Sequence, residues 1–281
     1  MRRLFTISLI CFAFTAFLAP AGIGAEELEI INRPVNISGL TGLLITTSPF
    51  TLPPRTFEVG VSVLSENSLV PKYVSTAYPL TISYGLALNR ELALRVPYLY
   101  RSDDPDIKTR GMGDTDLSFK WTVLPQPELG YWPGIAVIAA GTFPTGDREA
   151  GTSSVSQWGC KIGFALGSEI FWEDRIIALY ADGLAAVQDL SDDMLRDSYA
   201  ILNAGILFPI SKYRNLQMLV EFNHRTGKDI ENIDGGDYSA VTYGLRLVNE
   251  RFNLTLGTQF VHKETEGNNS SRVLGIISSK F

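Results

Sequence analysis

From Phe57 to Phe281 the chain alternates apolar and polar residues with a period of two. Phe57, Val59, Val61 and Val63 alternate with Glu58, Gly60 and Ser62, and Leu80, Ile82, Tyr84 and Leu86 with Thr81, Ser83 and Gly85. The pattern recurs at Leu92, Leu94, Val96, Tyr98 and Tyr100 opposite Ala93, Arg95 and Pro97, and at Leu117, Phe119, Trp121 and Val123 opposite Asp116, Ser118, Lys120 and Thr122. It returns at Leu216–Phe222, Val241–Leu247 and Phe252–Phe260. Successive side chains of a strand point to opposite faces, so each segment is a strand with one oily and one polar face. About twelve such segments lie near 55–65, 77–88, 90–101, 113–124, 133–144, 158–168, 174–187, 198–208, 215–226, 238–248, 252–262 and 270–281, most near the ~9–11 residues a tilted strand needs to cross a bilayer. After residue 25 no stretch approaches the roughly 18 consecutive apolar residues of a membrane helix; the longest candidate runs only from Gly134 to Gly141.

A soluble β-sandwich would also alternate, but its exposed face would be rich in charge. Here the polar face is heavy in Gly, Ser and Thr, and the connections fall into two classes. Those at Asn89, Gly167–Glu173, Pro209–Arg214 and Asn249–Arg251 are short, with Leu124–Trp132 the long exception. The alternate ones, Ser65–Thr76, Ser102–Met112, Thr145–Gln157, Asp189–Asp197, Gly227–Asp237 and Lys263–Asn269, are longer and polar. Short periplasmic turns and long surface loops are the pattern of a transmembrane barrel. The aromatics sort into two belts, Tyr98, Tyr100, Phe143, Trp158, Tyr199, Phe222, Tyr238 and Phe260 toward the surface, and Phe57, Trp121, Trp132, Phe208, Phe252 and Phe281 toward the periplasm. The expectation is an all-β fold over residues 55–281: a transmembrane, antiparallel, up-and-down β-barrel of about twelve strands. Its last strand, ending at Phe281, pairs with the first, because an open edge in a bilayer leaves backbone groups unsatisfied. That terminal strand is also where the barrel-assembly machinery is expected to engage, through Phe281.

The N-terminus indicates export. Met1-Arg-Arg3 is basic, Leu4 to Leu18 is apolar, and Ala19 to Ala25 supplies small residues before Glu26; this reads as a secretory signal over 1–25, cleaved near Ala25, and places the protein in the outer membrane. Ile10 before Cys11 does not fit lipoprotein processing. Losing Arg2 and Arg3 takes the formal charge from −6 to −8, which argues against a nucleic-acid partner. Cys160 alone then remains, giving no intramolecular disulfide and no thiolate metal site. Residues 26–54, with the apolar patch Leu40–Ile45, read as a periplasmic segment or a lumenal plug; an additional strand also fits, but would spoil the even count.

Energy fixes which face looks inward. Turned outward, Arg95, Lys120 or Arg246 would each cost up to roughly 2–4 kcal/mol near the midplane. The expected lumen-lining set is Glu58, Arg95, Asp114, Asp116, Lys120, Lys161, Asp182, Glu221 and Arg246, with Arg225 and Arg272. Both signs occur, so the set fits cross-strand bracing as well as a selectivity ladder for solutes. Twelve strands fall between the filled interior of eight and the open channel of sixteen, which predicts a narrow pore.

Two motifs add a resemblance. Gly111-Met-Gly-Asp-Thr-Asp-Leu-Ser-Phe-Lys120 and Thr142-Phe-Pro-Thr-Gly-Asp147, with Arg95-Val-Pro-Tyr98 upstream, resemble signatures of the outer-membrane barrel family named for the meta pathway of phenol degradation. The resemblance covers mainly residues 55–170. It implies an outer-membrane protein that helps small, often aromatic or hydrophobic, compounds to cross. In physical terms Gly111, Gly113 and Gly146 suit tight bends, Pro144 a strand end, and Asp114 and Asp147 acceptance of backbone hydrogen bonds.

Catalysis finds less support. A lipid hydrolase needs a nucleophile oriented by His. Of His224 and His262, the first stands two residues from Thr226 on one face, with no Asn partner evident on the neighbouring strand. The acidic loops at Ser102–Asp106, Asp189–Asp193 and Asp229–Asp237 lack the spacing of a calcium loop. No catalytic residue, cofactor or metal is assigned. The sequence therefore reads as a passive outer-membrane channel for small solutes, with outer-membrane lipids around it; a lipid-modifying enzyme and a structural or surface-interaction barrel are the alternatives.

Overall fold

The computed structural model describes residues 33–281 except 70–71, 105–106, 128–131, 148–151, 154–157, 173–174, 190–195, 211–214, 228–236, 250 and 264–268. The expected signal segment, 1–25, lies outside the described residues. The strands are β1 (Phe57–Leu69), β2 (Lys72–Ala87), β3 (Arg90–Asp104), β4 in two segments (Ile107–Met112 and Thr115–Leu124), β5 (Gly134–Phe143), β6 (Gly159–Trp172), β7 (Arg175–Asp189), β8 (Arg196–Pro209), β9 (Leu216–Gly227), β10 (Tyr238–Val248), β11 (Phe252–Lys263) and β12 (Asn269–Lys280). Each pairs antiparallel with its sequence neighbour, and β12 pairs with β1 from Glu58↔Lys280 to Ser68↔Ser270. The result is a closed barrel of twelve strands. At the seam Phe57 and Phe281 exchange both backbone hydrogen bonds, at 3.1 and 2.8 Å.

The outward positions form a continuous apolar surface. Val61, Leu80, Phe164, Phe222, Leu245, Leu256 and Val273 are all exposed, while Glu58, Thr81, Ala165, Glu221, Arg246, Thr255 and Leu274, of the opposite phase, are buried. Two expectations about the rim need correction. Most of Ser65–Thr76 and Ser102–Met112 is strand, because β1 with β2 and β3 with β4 continue to pair through these stretches. Most of the Gly167–Glu173 connection is likewise strand, since β6 reaches Trp172. Of the surface-side aromatics, Tyr199 and Tyr238 share the inward phase of Asn203 and Thr242; there the Arg225 guanidinium lies 4.0 Å from the Tyr199 ring centre and Arg272 lies 5.4 Å from that of Tyr238.

The break in β4 has a local cause. Tyr98 faces Met112 and Arg95 faces Asp116, so Val96 and Pro97 stand opposite three residues, Gly113, Asp114 and Thr115. This is a β-bulge, and it sits where Pro97, itself opposite Pro79, cannot donate to the ladder. Gly113 N–H still reaches the Pro97 carbonyl at 2.8 Å, and a Cβ on Gly113 would meet Pro97 and Leu99 at 3.0 Å.

Residues 33–56 lie inside the barrel. They fold as a short irregular meander with two isolated bridges, Val35↔Thr41 and Gly42↔Thr47, and a left-handed Gly39 at φ 93°. Val35, Ile37, Leu43, Leu44, Phe50 and Leu52 pack against inward-facing Ile176, Ala178, Tyr180, Leu207, Leu219, Leu274 and Ile276. Leu40 packs in a second cluster with Ala93, Ala136, Ile138 and Ala165. A wall of this width cannot fill its own interior with side chains. The segment supplies the missing volume.

The segment leaves the lumen across β2, where Arg55 N–H donates to the Gly85 carbonyl at 2.8 Å and Gly85 N–H to the Thr56 carbonyl at 3.0 Å. A Cβ on Gly85 would stand 2.0 Å from the Pro53 carbonyl oxygen, a backbone atom that cannot give way. Gly85→Ala is expected to lower stability by about 1–3 kcal/mol, the usual range for overpacking. Gly141→Ala, whose Cβ would make only ordinary contacts with Phe143 at 3.7 Å and the Gly159 carbonyl at 3.9 Å, is expected to be neutral in the same urea titration, followed by tryptophan fluorescence in lipid vesicles.

Candidate functional site

The lumenal segment is held mainly by its backbone. Buried carboxylates of the wall accept from its N–H groups: Glu58 from Val35 at 3.2 Å, Glu91 from Thr41 at 2.8 Å and Leu52 at 3.1 Å, Glu221 from Ile45 at 3.0 Å and Thr46 at 2.7 Å, and Asp182 from Thr47 at 2.6 Å. Buried cations donate to its carbonyls. Lys120 Nζ reaches Thr41 O and Ser48 O, each at 3.2 Å, and also the Thr41 hydroxyl. Arg246 donates to Gly42 O at 3.0 Å and is steadied by Thr255 at 3.1 Å. Thr122 donates to the Pro49 carbonyl at 2.5 Å, and Ser83 to that of Gly39. Lys120 also pairs with Glu91 at 3.2 Å, both side chains being 0% exposed.

The first described residue of the segment is tied at its side chain. Arg33 grips Glu169 with two hydrogen bonds, at 2.7 and 2.9 Å, and lies 3.8 Å above the Phe50 ring. Tyr180 donates its hydroxyl to the same carboxylate at 2.6 Å.

Toward the loop end of the barrel the inner wall is differently built. Asp116 accepts from Arg95 at 2.9 Å and from the Thr142 hydroxyl at 2.5 Å, with Lys161 at 3.6 Å. Arg95 and Lys161 keep 22% and 27% of their side-chain surface exposed although they face inward. Water therefore reaches the lumen at this level. A second cluster joins Glu66 to Arg272 at 2.9 Å and Lys263 at 3.9 Å. From Asp182 an amide ladder crosses four strands through Asn203, Asn223 and Gln259, with bonds of 2.8, 2.9 and 2.9 Å, and continues to Arg272.

The two sequence motifs meet at the rim. Asp114 Oδ1 accepts from Gly146 N–H at 3.1 Å and Ser153 Oγ at 2.9 Å, while the Thr145 hydroxyl accepts from Thr115 N–H at 2.9 Å and donates to the Gly113 carbonyl at 3.1 Å. The bulge thus clasps the Pro144–Asp147 turn and folds Thr152 to a buried position against Gly111.

Eight of the nine residues expected to line the lumen carry the inward phase of their strands and Asp114 lies in the bulge, and they do not form one site. Glu58, Lys120, Asp182, Glu221 and Arg246 bind the segment; Arg95, Asp116 and Lys161 form the open cluster; Asp114 belongs to the rim clasp. The sequence reading missed two groups of equal weight. Glu91 has the phase of Ala93 and Arg95, so the alternation was sufficient to find it. Glu169 stood just past the assumed end of its strand. The histidines face outward at the loop end: His224 Nδ1 lies 3.0 Å from Ser239 Oγ, not beside Thr226, and His262 Nδ1 lies 2.8 Å from Asn269 Oδ1. No group of side chains suited to a metal ion occurs among the described residues.

The sequence matches no protein-family profile and no curated protein. Its structure is similar to that of an outer membrane channel from Pseudomonas putida F1, with 15% identity, coverage of 83% of this chain and 98% of that one, and a TM-score of 0.63. It is also similar to the NanC porin (10% identity, 78% and 98% coverage, TM-score 0.51) and to LpxR from Salmonella typhimurium (12%, 78% and 99%, 0.51). At these identities the likeness is one of fold, an outer-membrane β-barrel.

Removing one partner of a buried ion pair leaves the other uncompensated, at a cost of about 3–5 kcal/mol. Glu91→Ala is therefore expected to destabilise by about that amount, and Lys120→Met, which also removes the donor to Thr41 and Ser48, to cost less in the Glu91→Ala background than on its own. Strictly additive losses in the double variant, measured by the same urea titration, would contradict this account of the pair.

Proposed function

We propose that this protein is an outer-membrane channel for passive passage of small solutes, aromatic or hydrophobic compounds among them, with the segment 33–56 setting the available cross-section. The observation that carries the reading is the division of the lumen. At the level of the segment Lys120, Glu91 and Glu221 are completely buried, whereas nearer the loops Arg95 and Lys161 retain contact with water. A water-exposed mouth above a narrow, hydrogen-bonded constriction supports a selective pore. The likeness in fold to an outer membrane channel supports the same reading, as do the Gly-x-Gly-Asp and Pro-Thr-Gly-Asp motifs of the phenol meta-pathway barrels. In this scheme the long loops face the cell surface, lipids cover the apolar outer wall, and Phe281 on the closing strand engages the assembly machinery.

A lipid-modifying enzyme is the second reading, favoured by one rung of the wall. His224, Ser239, His262 and Asn269 are successive cross-strand partners on the outer face. A hydroxyl beside one imidazole, and an amide oxygen orienting another, are parts of a hydrolytic constellation. Phospholipid hydrolysis by the refolded protein that disappears in Ser239→Ala would establish this reading; unchanged lipid over long incubation would dismiss it.

Planar-bilayer recording tests the channel. The refolded protein is expected to give small, discrete conductance steps. Glu221→Ala, which releases Ile45 and Thr46, is expected to give larger and noisier ones. A bilayer sealed in both cases would overturn the proposal.

A further inference from the structure

Two pairs of lumenal cations contrast. Lys120 and Arg246 have 0–1% of their surface exposed and spend their donors on the carbonyls of the inner segment. Arg95 and Lys161 do not touch that segment in any hydrogen bond. They share a single carboxylate, Asp116, whose two oxygens are already engaged by Arg95 and Thr142. Lys161 is held only by its ion pair at 3.6 Å, beyond hydrogen-bond reach, and Arg95 Nε has no acceptor. The cluster carries one net positive charge and unused donors, and it faces water.

Among the described residues, the inward neighbours of this cluster are short. Lys161 lies on a rung of inward positions that reads Ala93, Ser118, Ala140, Lys161, Ala186 and Tyr199 across six successive strands. Its neighbours over four of those strands are Ala or Ser, too short to reach an ammonium group held at the end of a lysine side chain. A rung built only to brace the wall would place acceptors there, as the Asp182–Asn203–Asn223 ladder does.

We infer that Arg95 and Lys161, mounted on Asp116, form a seat for the carboxylate of a small organic anion entering from the loop end. Arg95 offers a planar donor fork suited to a carboxylate, Lys161 supplies a second charge, and Asp116 fixes Arg95 while preventing the pair from holding the anion permanently. The inference rests on the channel reading for its physiological meaning, naming the class of solute that the pore selects. The binding itself does not need the pore to conduct.

The test uses 4-fluorobenzoate, titrated against the refolded protein in detergent and followed by its fluorine resonance, with 4-fluorobenzyl alcohol as the neutral counterpart. The acid is expected to bind and the alcohol to bind at least about tenfold more weakly, since one or two charge-assisted hydrogen bonds are lost. Lys161→Met and Arg95→Gln are each expected to weaken the acid by a similar factor, and Lys161→Glu to abolish its binding. Heat-modifiable gel migration shows whether each variant is folded. Should Arg95→Gln fail to fold, the Lys161 pair carries the test alone, because its side chain leaves no hydrogen bond of the wall broken. Equal binding of acid and alcohol, or unchanged binding in Lys161→Glu, would overturn the seat. Conductance without fluorobenzoate binding would remove the seat and leave the channel standing; binding lost in Lys161→Met with a sealed bilayer would keep the seat and remove the channel.

Discussion

The structure depends on carboxylates that are turned inward to receive backbone N–H groups. An irregular segment at membrane depth is tolerable only where protein or water satisfies its peptide groups. Residues 33–56 satisfy part of their own backbone, with bonds such as Ile37 N–H to the Leu44 carbonyl and Ser48 N–H to that of Thr41, and the wall supplies partners for peptide groups that remain. Glu58, Glu91, Asp182 and Glu221 serve the donors and Lys120 and Arg246 the acceptors. The signs are distributed by that chemistry. A carboxylate can only accept and a lysine or arginine can only donate, so mixed lumenal charge follows from lining a barrel with polypeptide.

This also explains where the alternation fails. In a water-filled barrel the inward phase would stay polar, yet Leu207, Leu219, Leu274 and Ile276 are inward and fully or nearly buried. Each sits in a local run that is apolar on both faces: Ile206-Leu-Phe208, Met218-Leu-Val220 and Val273-Leu-Gly-Ile-Ile277. Those runs mark the side of the barrel against which Leu43, Leu44, Phe50 and Leu52 pack. Buried apolar contacts of this kind contribute about 25 cal/mol per Å² removed from water, and they give the segment its position without specifying its hydrogen bonds.

Strand number, facing and closure were legible because period two leaves no freedom in the direction of a side chain. Glu58, Lys120, Glu221 and Arg246 followed from phase alone. What phase cannot convey is depth and partner. Arg95 and Arg246 read identically in sequence, yet one meets water and the other a peptide carbonyl, according to where a separate stretch of chain lies. The rim clasp was half visible: Gly113, Asp114 and Gly146 read as bend residues, but the bond from Gly146 to Asp114 joins positions 32 apart through a loop. The inward phase of Tyr199 and Tyr238 was readable, and was overlooked because aromatic rings near strand ends suggest an interfacial belt. Here each ring lies near an arginine instead.

The strength of the anchoring bears on how a solute could pass. Hydrogen bonds to charged groups contribute roughly 1.5–3 kcal/mol each, so six N–H bonds to buried carboxylates together are worth on the order of 10 kcal/mol. Release of the whole segment would then be populated at about one part in ten million, and less once its apolar contacts are included. A path through the pore must therefore skirt the segment or use local opening. The turn at Gly42–Thr47 is the natural place, since it hangs from Glu221, Asp182 and Arg246 while its neighbours on either side are fixed separately by Glu91 and Lys120. Loosening Glu221 alone should widen the constriction in graded fashion and leave the rest of the segment seated, because the remaining anchors are independent of it.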